Sequence, residues 1–326
     1  MKAALSWDEL IGSSQAPRSP NNSILTLLYR MSGKHQGHYY IPTGGIDSLI
    51  DALVSSAEEA GVEFMSETLV KEIIIENSQN GLKAIGVKTH NSEEIKADRI
   101  ISGVDPKQTF INLVGAHNTE IEFSNRINRL RSNGYVAKFN LALSSLPSFM
   151  GLDSLRGRML IAPTMDSIEF AWDDTKYGDY SQNPVLDMIV PTLFNPSMAP
   201  EGKHILSANI MYIPYQKKGG WSEEDKNELT EKIIDTISQY STNIRDNILH
   251  SELLTPLDLE TEFNLTGGHW HHGELALDQM LMMRPTYEAA QYRTPIDKLY
   301  LCSAGCHPGG GIMGAAGYNA AKEIIK

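Results

Sequence analysis

The chain has 326 residues, 41% hydrophobic and 21% charged, the balance of a soluble globular protein with one large or two ordinary domains. Its net charge of −12, with no basic cluster, excludes nucleic acid and anionic membrane surfaces as partners, and no apolar run reaches the ~18 residues that a bilayer crossing needs. Two cysteines, and an opening that is acidic within its first ten residues, point to a reducing compartment: the cytosol or an organelle matrix.

The first elements predicted are a helix from Ala3 to Ile11, a loop broken by Pro17 and Pro20, an apolar segment from Ile24 to Met31, and a loop from Gly33 to His38. Tyr39 to Gly45 leads into a helix whose Ile46, Leu49, Ile50, Leu53, Val54 and Ala57 recur at helical spacing, with Gly61 as its stop. Strands are predicted at Val62–Phe64, Val70–Glu76, Ala84–Thr89 and Arg99–Ile101, the middle two joined as a hairpin around Asn80-Gly81. Pro106 opens another helix.

Residues 107–294 look like a second, differently built module. Alternation from Tyr135 to Leu143 reads as a half-buried strand, and Arg158–Ile161, Val185–Val190 and Ile205–Tyr212 as further strands. Ser222 begins a helix through Tyr240 with Leu229, Ile233, Ile237 and Tyr240 on its inner face. The simplest arrangement is a mixed sheet lined by helices.

The chain closes on Leu299-Tyr300-Leu301-Cys302, a short buried strand, then a glycine-dense turn, then good helix formers. Strand, glycine turn and helix aim backbone N–H groups and a positive helix end at an anion or an electron-rich ring edge. The same glycines also suit a tight turn that merely permits close packing. Gly309, Gly311 and Gly314 satisfy G-x-G-x-x-G, yet no second strand follows before Lys326, so a dinucleotide fingerprint does not fit.

His269, His271, His272 and Glu274 crowd a short loop, where an extended backbone puts only His269 and His271 on one face; exposed or hydrogen-bonded histidines suit it better than a metal site. Cys302 and Cys306 are spaced for neither a redox pair nor a zinc knuckle. No nucleophile elbow or phosphate-cradling Gly-Lys-Ser/Thr loop occurs. Tyr292 and Arg293 precede the final strand closely enough to reach the turn, but ordinary surface packing is the reading the sequence favours for them and for Arg284.

The motif Leu299–Cys302, Gly305, His307-Pro308-Gly309-Gly310-Gly311, Met313–Gly317 and Asn319–Ala321 resembles the C-terminal flavin motif of the phytoene desaturase-like FAD oxidoreductases. Within them it is most similar to the family of pyridine nucleotide-disulfide oxidoreductase domain-containing protein 2. Gly44-Gly45, Leu253–Glu260, Leu277-Asp278-Gln279 with Arg284-Pro285, and Lys2–Gly12 carry the resemblance across most of the chain. Family members open with a strand, glycine fingerprint and helix that grip the FAD pyrophosphate, and this chain starts after them.

The resemblance implies an α/β plus α+β protein: an incomplete FAD/NAD(P)-binding domain of amine oxidase or phytoene desaturase type with a mixed-sheet substrate domain. Residues 1–38 are a helical part of the substrate region, 39–112 and 295–326 the FAD domain, and 113–294 the substrate domain. FAD is the implied cofactor, with Gly305 near the ribityl-phosphate region, Ile312, Met313 and Gly314 at the flavin's pyrimidine edge, and Gly311 also among the cofactor-binding residues. Val70 matches a position that meets adenine, and Gly44, Gly45 and Ser102–Asp105 are wall elements. His307 is the side chain nearest the motif for catalysis. The implied activity moves a hydride between an apolar substrate and flavin N5; the alternative is a non-catalytic subunit that holds no FAD alone. A missing layer predicts uncovered apolar faces and association, either with a dinucleotide-binding chain or with a second copy.

Overall fold

The computed structural model describes residues 2–19, 31, 40–79, 81–312 and 314–326. The expected segments at 24–30 and 33–38, together with Asn80 and Met313, lie outside them. The elements used below are α1 (Lys2–Leu10), α2 (Gly45–Glu59), β1 (Val70–Ser78), β2 (Gly81–Thr89), β3 (Glu94–Lys96), β4 (Ile100–Ser102), α3 (Ile121–Arg129), β5 (Val136–Leu143), β6 (Met159–Ile161), α4 (Met165–Lys176), β7 (Leu186–Ile189), β8 (His204–Met211), α5 (Glu223–Ser238), β9 (Ile248–Leu254), α6 (Pro256–Phe263), β10 (Leu299–Leu301) and α7 (Ala315–Ile324).

The chain forms two compact units, one of residues 1–63 and 135–258, the other of residues 64–134 and 259–326. These borders differ from the expected ones at 112/113 and 294/295. The physical reason is shared burial: Phe123 and Ile127 of α3, with Ala289 and Tyr292, join Phe110 and Leu299 in one hydrophobic core.

The first unit is built on an antiparallel sheet in the order β6-β7-β8-β5-β9. Alternation in β5 sends Ala137, Phe139, Leu141 and Leu143 into a core with Leu206, Ala208 and Ile210 of β8 and Leu229, Ile233 and Ile237 of α5. Ser222 caps α5 in a reciprocal box: its hydroxyl accepts from the Asp225 N–H at 3.1 Å, and the Asp225 carboxylate accepts from the Ser222 N–H at 2.9 Å. The opposite face of the sheet carries a paired polar row. Lys138 Nζ donates to Asn209 at 3.2 Å, Asn209 to Asp187 at 2.9 Å, and buried Asp187 accepts from Trp7 Nε1 and Arg158 Nε. That row docks α1.

α2 forms where the periodicity predicts and ends in a Schellman turn: Gly61, at φ +83°, donates to Glu58 O and Val62 to Ala57 O. Its predicted stripe is not covered, for no residue of α2 is buried and Ile46, Ile50 and Leu53 are 43%, 48% and 60% exposed. The strand expected at Val62–Phe64 does not form, because the Val62 N–H is spent on that cap and no ladder partner stands beside it.

The second unit holds the β1-β2-β3 antiparallel sheet and a two-stranded parallel sheet of β4 and β10. β3, α3, α4, β9 and α6 form where the sequence pattern predicts no element. Asp105 caps the helix after β4, its Oδ1 accepting from the Lys107 and Gln108 N–H groups at 2.9 and 3.0 Å with Pro106 at the first helical position. Phe110 and Phe123 meet edge to face at 4.8 Å beneath β4 and β10.

Candidate functional site

β10 delivers the chain to the glycine turn as predicted. Parallel pairing is carried past its end by the Cys302 N–H on Ser102 O at 3.0 Å, so Cys302 sits just beyond the strand rather than in it. The turn's glycines have distinct jobs. Gly305 backs onto Pro106, whose Cδ lies 2.5 Å from where a Cβ would stand, so its α-carbon faces protein. Gly309 lies against Leu275 and the Arg284 guanidinium, and a Cβ on Gly310 would fall on the His271 imidazole. Gly314, by contrast, caps α7 at φ +63° with open space where a Cβ would be, and Gly317 one turn on is equally open.

The α7 N-terminus is therefore a bare backbone surface. Gly311 and Gly314 are exposed, Ile312 is 71% exposed, and Gly314 offers no side-chain cap. A helix start with small residues and N–H groups facing outward suits the electron-rich edge of a planar ring. Of the expected cofactor set, Gly305, Gly311, Ile312, Gly314 and His307 come together on this turn. Val70 lies elsewhere in the same unit, at the start of β1 opposite Thr89. Gly44 and Gly45 belong to the other unit, where Gly44 caps α2 and Gly45 packs on Asn195.

Two residues read as surface packing turn out to shape the turn. Arg284 is 2% exposed. Its Nε donates to Ala304 O, its Nη1 to Glu274 O and Gln279 O, and its Nη2 to His271 O, Gly273 O and Ala304 O, at 2.6–3.2 Å. One guanidinium thus ties the histidine loop to the glycine turn. Tyr292 donates its hydroxyl to His307 O at 2.8 Å and accepts from Asn319 Nδ2 at 2.9 Å, joining the turn's entry to α7. Arg293 is the surface residue expected, paired with Glu323 at 2.6 Å. Adjacency in sequence could not distinguish these; only burial does.

In the histidine loop His269 is buried, and its Nδ1 accepts the His271 N–H at 3.2 Å, which fixes its proton on Nε2. The His269 and His271 rings lie 5.9 Å apart. Among the described residues no group of three or more His, Cys, Asp or Glu is placed to hold a metal ion. Burial pushes the His272 imidazole down; Asp105 opposes that and Arg284 adds to it. Burial, then Arg284, likewise push His307 down. Cys306 is fully buried, and burial raises its thiol to about 12.

Comparison with known proteins gives the family. The chain is 34% identical, over its whole length, to pyridine nucleotide-disulfide oxidoreductase domain-containing protein 2 of Mus musculus, and spans 58% of that protein. It is 25% identical over 87% of its length to a phytoene desaturase of Neurospora crassa, covering 47% of it. All of the chain superposes on 64% of an oxidoreductase from Methanosarcina mazei, with a TM-score of 0.60 at 17% identity, which shows the fold. Among the described residues no helix is long and apolar enough to cross a membrane. The family model for flavin-containing amine oxidoreductases matches residues 7–325, so the chain, with its strand, glycine turn and bare helix start, belongs to that family and is phytoene desaturase-like within it.

Proposed function

We propose that this chain is the flavin-facing part of an FAD-dependent oxidoreductase of dehydrogenase or desaturase type, working in a reducing compartment on an apolar substrate. One observation carries the reading: after β10, Gly314 and Gly317 have open space where a Cβ would stand and Gly311 is exposed, while the Cβ positions of Gly305 and Gly310 are filled by protein. The residues fit the flavin's pyrimidine edge, which Ile312 and Gly314 would meet through the backbone. Met313 is assigned there by the resemblance alone. When bound, FAD would supply hydride acceptance at N5, and the chemistry of the bond change would be its own.

The protein's part is orientation and electrostatics. The α7 N-terminus places positive potential where charge grows on a reduced ring. Arg284 and Tyr292 hold the turn in one shape, so those N–H groups need no rearrangement. Gly44, Gly45 and Val70 remain cofactor candidates of lower geometric support.

The second reading is an interaction subunit that holds no FAD by itself. It is favoured by uncovered apolar surface: the stripe of α2, and the outer edge of β4. Ile100 N–H and Ser102 O are used by β10, so the Ile101 N–H and C=O point away, beside a 50% exposed side chain. Parallel sheets are ordinarily covered on both faces. In either reading association completes the fold, with a dinucleotide-binding segment or a second copy.

The visible spectrum of the purified full chain with added FAD separates the readings. A retained yellow flavin, released only on denaturation, defeats the second. A colourless protein that becomes yellow only when a dinucleotide-binding segment from a relative is added supports a shared site. No flavin under either condition defeats the first.

A further inference from the structure

Beyond the flavin reading, the molecule places a specific titratable side chain on the turn. The middle glycine of Gly309-Gly310-Gly311 is not needed for a left-handed turn, since among these three only Gly309 and Gly311 have positive φ, +105° and +119°. It is needed because the His271 imidazole lies where its side chain would be, Nδ1 nearest. His271 is held there from both sides of its backbone. Its N–H donates to His269 Nδ1 at 3.2 Å, and its carbonyl accepts from Arg284 Nη2 at 2.6 Å. The ring is half-buried, and it stands one residue from Gly311, where the open face of the turn begins. We propose that His271, seated on Gly310, is the side chain that exchanges a proton with solvent when flavin on this turn is reduced; this rests on the flavin reading above.

Within the same loop His269 is worse placed: it is 2% exposed and already spends its Nδ1 lone pair on a backbone N–H. Arg284, from the segment after the loop, holds the His271 carbonyl and also acts on His272, His307 and Cys306, and the His269 ring lies 5.9 Å from the His271 ring. Negative charge gained by the ring system on reduction favours imidazolium at the nearest exchangeable imidazole. For the step to balance, two electrons would pass from the reductant to the flavin together with one proton from water, and a second proton from water would go to the His271 ring, leaving two hydroxides to the buffer.

The experiment uses the full chain loaded with FAD and reduced stepwise with dithionite across pH 6–9, comparing wild type with His271→Asn and Gly310→Ala. Wild type should show a bend in the plot of reduction potential against pH, marking a proton taken up with the electrons. The bend should vanish in His271→Asn, and in Gly310→Ala, whose new methyl must displace the imidazole. Gly310→Ala should also lower the melting temperature, and Gly310→Ala/His271→Ala should restore most of that loss. If His271→Asn fails to fold, the double variant carries the same comparison. Flavin bound with the same bend in wild type and His271→Asn overturns the proposal alone. Failure of the double variant to relieve Gly310→Ala overturns the seating of His271. A wild-type chain that takes up no flavin, either alone or with a dinucleotide-binding segment from a relative added, overturns the flavin reading and this proposal with it.

Discussion

Replacing Arg284 by lysine tests how the turn is held. The guanidinium satisfies five carbonyl oxygens, those of His271, Gly273, Glu274, Gln279 and Ala304. Lysine keeps the charge but has three N–H donors on one atom, and of the five carbonyls only that of Glu274 keeps another donor, Gln279 Nε2, so at least one carbonyl is left unsatisfied in a site that is 2% exposed. At about 1–3 kcal/mol for each buried group left unsatisfied, the cost is at least about 1–3 kcal/mol, with coupling among neighbours blurring a strict sum. Because the chain has two compact units, one global midpoint is a poor measure. Hydrogen exchange read by mass spectrometry over 268–284 and 302–311 isolates the effect. Those two segments should lose protection together in Arg284→Lys, while the β5 and β8 segments keep theirs. Unchanged exchange in both segments would show that the carbonyl cluster does not hold the turn.

Tyr292→Phe removes one hydroxyl that both donates to His307 O and accepts from Asn319, and should cost about 1 kcal/mol in urea unfolding of this unit. Cys306, raised to about 12, should resist iodoacetamide at pH 8 in the native protein and react on unfolding. Since its ordinary value is 9.0, that raised group adds stability below pH 9 that is lost as pH rises toward 12, and thiol-alkylation rates against pH follow it. Ser222→Ala should destabilise α5 by about 1 kcal/mol, seen as a lower midpoint of helical circular dichroism. The Ser222 hydroxyl, then Lys217, hold the Asp225 carboxyl at about 2 against an ordinary 3.8. Its stabilisation is therefore complete above pH 3.8 and fades as pH falls through 2, a fade that Ser222→Ala should weaken.

Much of the fold was legible in local pattern. α2, α5, the β1–β2 hairpin, β5, β8 and the strand-turn-helix end all form where periodicity, caps and turn residues place them, because each depends on neighbours a few residues away. What pattern could not give was which faces find partners. The stripe of α2 has strong helical spacing and no cover, and Val62–Phe64 has strand composition and no ladder. α4, capped by Thr164 and Ser167, buries only Ile168, Ala171, Trp172 and Thr175, a stripe of two turns that is too short to stand out as a period in the sequence.

The candidate site divides in the same way. By itself the sequence determined the family, the glycine turn and the helix behind it, for these are contiguous and their backbone demands are written in glycines. Tertiary structure alone decided which glycines face open space and which face protein. The contacts that sort them join residues far apart in the chain: Pro106 on Gly305, His271 on Gly310, Arg284 across two loops, and Ser102 beside Cys302 at a separation of 200 residues. A glycine permits a close approach. Only the folded chain determines what approaches it, because packing is settled by the volume that distant segments leave to one another.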